Sequence, residues 1–159
     1  MMPDDGALRA LLRHTLTRLQ DFGVRQAVLF TGHFADEQLE LSAALAAEWN
    51  SCKGALQTVA LGVNGNKKAM LPDHAGRFET TLLAAFHLHT VDLAQLPPAK
   101  PEEAGEDPFG AQRHAPLHSL RGIFGPDPRD FVRDDAPSLR RAMAVWLAER
   151  AGPIPSGRA

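Results

Sequence analysis

The sequence predicts an α/β fold built on a parallel sheet, and three observations lead there. Residues 27–30, Ala-Val-Leu-Phe, are four consecutive apolar residues, the pattern of a strand buried on both faces. A helical stretch at 39–49 and a second apolar strand at 56–61 follow, so strand, helix and strand make a right-handed βαβ unit. The whole chain of 159 residues, 44% hydrophobic and 23% charged, is large and apolar enough to bury the core of one such domain.

Each element has its own signal. Leu8, Leu11, Leu12, Leu16 and Leu19 recur at helical spacing with Arg9, Arg13 and Arg18 between them, and Gly23 is suited to close that helix. Asp36 reads as the N-cap of the helix at 39–49. A Gly/Asn-rich loop occupies 62–73. The third helix, about 78–88, is apolar on most of its surface and is expected to pack inside. From 96 to 116, five prolines alternate with Glu102, Glu103, Glu106 and Asp107, which predicts an irregular excursion, either mobile or at a subunit contact. Leu139, Met143, Trp146 and Leu147 form the stripe of a last helix at 138–150, closed by Gly152 and Pro153.

Charge and cysteine content narrow the classes. A net charge of -2 gives no basic excess for nucleic acid. Cys52 is the single cysteine, so neither an internal disulfide nor a thiolate zinc cluster can form. No apolar run approaches the ~20 residues that span a bilayer, and Asp4 and Asp5 replace the basic start of a signal peptide. The expectation is a cytoplasmic protein with no nucleic-acid or membrane partner.

Ligands of open parallel sheets bind beyond the carboxyl ends of the strands. Two loops are placed to do so. Thr31-Gly32-His33-Phe34-Ala35-Asp36 follows the first strand, with Gly32 allowing a sharp turn and His33 presented at the sheet edge. Asp73-His74-Ala75-Gly76 leads into the third helix, where His74 and Glu79 can face the same crevice. Imidazole and carboxylates on adjacent loops suit Zn2+ or Mn2+, or general acid–base work. By residue type alone, a histidine after a strand is more often a loop residue than a ligand, and Asp36 reads as a helix cap. His14 reads as a solvated helix residue, and His87, His89, His114 and His118 fall in no motif.

Three motifs resemble the creatininase family. Thr31-Gly32-His33-Phe34-Ala35-Asp36 is similar to its Asn-Gly-His-Gly-Gly-Asn loop. His74-Ala75-Gly76-Arg77-Phe78-Glu79-Thr80-Thr81-Leu82 is similar to its His-Ala-Gly-x-x-Glu-Thr-Ser-Leu signature, the most specific of the three. Gly122-Ile123-Phe124-Gly125-Pro126-Asp127-Pro128-Arg129 resembles the Gly-Val-x-Gly-Asp-Pro segment before the terminal helix. The resemblance runs from Phe30 to Arg129.

What it implies is a three-layer α/β/α domain with a mainly parallel sheet. It also implies two divalent metal ions, Zn2+ or Mn2+, hydrolysis of an amide or cyclic amide C–N bond in a small molecule, and a homo-oligomer. Carried over by position, His33 becomes a metal ligand and His74 binds substrate or transfers a proton. Glu79 supports the same centre, and Asp36 stands as a substitute ligand where Ala35 replaces the metal-binding Glu of some members. No counterpart of the family's N-terminal Glu-x-His-Gly stretch and bridging Asp precedes these motifs. Residues 1–159 are therefore expected to form the C-terminal part of a creatininase-like domain, incomplete on its N-terminal side, binding metal weakly and turning over little on its own. The alternatives are a non-catalytic remnant acting as scaffold or oligomerisation module, and a small-molecule binding domain using the same crevice.

Overall fold

A computed structural model describes residues 5–32, 36–52, 54–66 and 70–154. The chain divides into two compact units, Met1–Gly65 with Leu147–Ala159, and Asn66–Trp146. Helices and a parallel sheet are both present, so the fold is α/β.

The first unit opens with helix α1 (Asp5–Asp21). Its end follows from one residue. Gly23 takes φ +78°, which lets its N–H reach the Gln20 carbonyl at 2.9 Å and the Val24 N–H reach Leu19 at 3.0 Å. This pair of bonds satisfies carbonyls that the last turn would otherwise leave bare. Val24 and Leu19 then both pack on the apolar cluster of Leu16, Leu45 and Leu56.

Strand β1 (Gln26–Thr31), helix α2 (Asp36–Ser51) and strand β2 (Gln57–Gly62) form the expected βαβ unit. The strands pair in parallel, with Ala27 opposite Thr58 and Leu29 opposite Ala60. Ala27 and Leu29 turn toward the cluster that α1 and α2 supply through Leu12, Leu16, Leu45 and Trp49. Asn50, near the end of α2, donates to the Thr58 carbonyl and accepts its N–H, both at 2.8 Å. A side-chain amide thereby stands in for a neighbouring strand at that point of β2. Arg9 and Arg13 of α1 meet Glu48 of α2 at 3.2 and 2.6 Å, but all three are largely exposed, so these pairs contribute little.

Burial of β1 on both faces does not hold. Val28 is 39% and Phe30 47% exposed, while Ala27 and Leu29 alternate inward. Among the described residues the sheet has two strands, and one face carries the packing of α1 and α2. Asp36 is likewise the first residue inside α2 rather than the residue ahead of it.

The second unit contains helix α3 (Arg77–His87), a long irregular stretch of short 3-10 turns, and most of helix α4 (Ala136–Ala151). Its buried residues include Phe78, Thr81 and Ala84 of α3, Leu120, and Ala136, Leu139, Met143 and Trp146 of α4. The expected interior position of the third helix holds for one face only. Leu83 and Phe86 are 45% and 61% exposed, and Arg140 lies over the Phe86 ring at 5.9 Å. Prolines keep 96–116 from forming a longer helix, as expected, and 3-10 turns at Pro101–Glu103 and Ala111–His114 are what remain. Among the described residues no helix is long and apolar enough to cross a membrane.

Candidate active site

The loop before α3 is built around a buried carboxylate. Asp73 is 1% exposed and accepts the N–H groups of Phe78 at 2.8 Å and Glu79 at 3.2 Å. These are orphan donors of the first helical turn, so Asp73 caps α3 from outside the helix while the N-cap position itself is Gly76. Glu79 completes the arrangement from inside, its Oε2 accepting the Ala75 N–H at 2.7 Å. That bond holds Ala75 at φ 55°, a left-handed conformation that a residue with a side chain adopts only under constraint.

Two glycines make the arrangement possible. A Cβ on Gly76 would sit 2.8 Å from the Pro126 carbonyl, and one on Gly125, at φ +145°, would sit 2.9 Å from Asp73 Cγ. The His-Ala-Gly loop and the Gly122–Arg129 segment are therefore packed together around Asp73. Backbone bonds join them directly: His74 and Phe124 exchange N–H···O bonds of 2.8 and 2.9 Å, and Arg77 N–H reaches the Pro126 carbonyl at 3.0 Å. Burial pushes the Asp73 carboxyl up from its ordinary value, with the Glu79 charge adding to the rise and the Phe78 and Glu79 amides opposing it.

His74 is exposed on this locked turn, its ring centroid 6.1 Å from that of Phe124. Glu79 is tied to the same turn through its bond to the Ala75 amide. His33 lies outside the described residues. Asp36 is exposed at the start of α2 and belongs to the first unit, whereas His74 and Glu79 belong to the second.

Several residues with no assigned role also gather in the second unit. Glu106 meets Arg113 Nε at 2.6 Å and His118 Nε2 at 2.8 Å, and the Arg113 and His118 side chains are 5% and 6% exposed. His118 Nδ1 accepts the Leu120 N–H at 2.9 Å, which places the imidazole proton on Nε2, facing Glu106. Glu103 accepts from the Ser119 hydroxyl and from its N–H, with Lys100 at 3.3 Å. The Ser119 hydroxyl is the main reason the Glu103 carboxyl is held down to about 2. His118, then Arg113, lower that of Glu106. The acidic, Pro-rich composition reads as an irregular excursion because nothing local reveals that Arg113 and His118 fold back onto it. The capping role of Asp73 has no local signal for a related reason: the residue lies three positions before the N-cap Gly76.

As a metal site, the described residues are incomplete. Among them no group of three or more His, Cys, Asp or Glu side chains is placed to hold an ion. Both Asp73 oxygens and Glu79 Oε2 are already engaged by backbone N–H groups.

A family model described as creatinine amidohydrolase matches residues 3–150. The match takes in α1 and nearly all of α4, well beyond the 30–129 stretch in which the motifs fall. No curated protein and no solved structure matches the chain.

Proposed function

The chain belongs to the creatininase family, and on that footing we propose that it serves in hydrolysis of an amide or cyclic amide C–N bond in a small molecule. The observation that supports this most is the His-Ala-Gly turn, where an exposed imidazole is mounted on a backbone held by Asp73, Glu79 and Phe124. Such rigidity is what proton transfer to a leaving nitrogen requires, since the donor must already be in place when the bond breaks. In this reading His74 moves the proton. Glu79 acts through the Ala75 amide and keeps the imidazole in position.

Members of the family are generally metal-dependent. The proposed ion is Zn2+ or Mn2+, which would polarise the amide carbonyl and activate water. His33 and Asp36 are its proposed ligands. A catalytic zinc normally takes three protein ligands, so at least one further donor would complete the set, from this chain or from a second copy in a homo-oligomer.

A second reading, a scaffold that keeps the fold without the chemistry, is favoured by one observation: the Asp73 and Glu79 carboxylates of this turn are engaged by backbone N–H groups. Turnover of a panel of small amides, creatinine included, by the metal-supplemented protein separates the two. The hydrolase reading expects His74→Gln to abolish C–N bond cleavage and Glu79→Gln to weaken it less. Cleavage that is indifferent to His74 would remove the proton-transfer role given to it, and no cleavage with metal bound would favour the scaffold.

A further inference from the structure

Helix α3 carries chemistry at both ends. Its first turn is capped from the His74 loop, and its last residue, His87, begins a second group of imidazoles. His87 and His89 are both exposed, and their ring centroids lie 6.0 Å apart with the planes at 89°. Among the described residues no hydrogen bond or ion pair engages either ring. The backbone between them is fixed. Leu88–Thr90 forms a single 3-10 turn, the Thr90 hydroxyl donates to the His87 carbonyl at 2.8 Å, and the Val91 N–H reaches the Leu88 carbonyl at 3.1 Å.

The separation decides what the pair can do. A divalent ion sits about 2.0–2.1 Å from each ring nitrogen it binds, hence about 3.2 Å from each ring centre. Two rings on one ion therefore have centres no more than about 6.4 Å apart, and about 5.2 Å apart at the tetrahedral angle. The 6.0 Å separation falls between those limits, so a modest rotation of two exposed side chains brings both onto one ion. A lone histidine on a helix surface is usually just solvated. Two that converge from one fixed turn point to a ligand. The end of α3 favours a cation as well, since the carbonyls of a last helical turn carry partial negative charge. Arg140 opposes this by bonding the Ala85 carbonyl at 3.3 Å, but the contact is exposed and its charge is screened.

We propose that His87 and His89 form a binding site for a divalent transition ion of the class that takes imidazole, Zn2+, Ni2+ or Cu2+, separate from the proposed hydrolytic centre. Imidazole nitrogen suits these ions, whereas Mg2+ and Ca2+ prefer oxygen. The pair falls short of a three-ligand group, so water fills the remaining positions and the ion exchanges readily. The helix sets the distance from the His74 turn: its eleven residues rise about 16 Å. An ion at His87 therefore has no part in cleaving a bond held at His74.

The test follows the imidazole resonances of the 159-residue protein by NMR as Zn2+ is added, with Mg2+ as the comparison. Each histidine has its own resonance, so an ion held at His33 is read separately. The resonances of His87 and His89 are expected to move along one saturation curve with Zn2+ and to stay in place with Mg2+ at the same concentration. Both side chains are exposed, so His87→Gln and His89→Gln leave the packing of α3 intact. In either variant the remaining ring should bind Zn2+ about tenfold more weakly or worse, because the second ligand no longer acts from the same turn. Rings that ignore Zn2+, follow separate curves, respond equally to Mg2+, or bind Zn2+ as tightly after either substitution would each overturn the proposal.

Discussion

Asp73 shows how much a single residue can hold. It is buried, its carboxyl is raised by that burial, and its two oxygens take the first free amides of α3. Asp73→Ala would leave those amides without a partner inside the protein, a loss of about 1–3 kcal/mol. Asn at the same position keeps one acceptor and should recover part of it; urea unfolding of the two variants checks the order. Glu103 gives a pH prediction of definite sign. Its carboxyl is about 2 when folded, against about 4.3 unfolded. The stability it contributes is complete above the unfolded value and is lost as pH falls from there through about 2. Glu106, also lowered, acts in the same direction, while the raised Asp73 contributes the opposite slope. Removing the main cause with Ser119→Ala should flatten the fall in urea midpoint between about pH 4 and 2. An unchanged slope would mean that the hydroxyl is not what holds Glu103 down.

Among the elements, those written in local pattern were legible and those set by tertiary cover were not. The leucine spacing of α1 and the closing Gly23 were readable because helix periodicity and left-handed caps are properties of a few consecutive residues. Gly23→Ala should therefore cost about 1–2 kcal/mol, since a Cβ is strained at φ +78° even though open space surrounds it. A thermal melt equal to the parent would show that the turn relaxes to another conformation. The parallel pairing of β1 with β2 also followed from element order. Exposure of Val28 and Phe30 did not, because an apolar run reports that a strand can be covered, and nothing in it says whether the second face is covered. In the candidate site, the turn that unites His74 and Glu79 was visible in six consecutive residues. Arg113 reaching Glu106 and the Gly122 amide are contacts between segments that no local spacing encodes.

For the molecule as a whole, family membership extends over residues 3–150, and chemistry is the part that remains a proposal. Self-association belongs to that proposal too, with the exposed apolar Val28, Phe30 and Phe86 in support. The decisive measurement is metal content together with amide turnover of the protein purified in its native form from its own cells, beside a His74→Gln version expressed there. The account predicts bound Zn2+ or Mn2+ in both, and amide cleavage in the parent that His74→Gln abolishes. Native protein that carries the metal yet cleaves no amide, or cleaves equally well without His74, would contradict it.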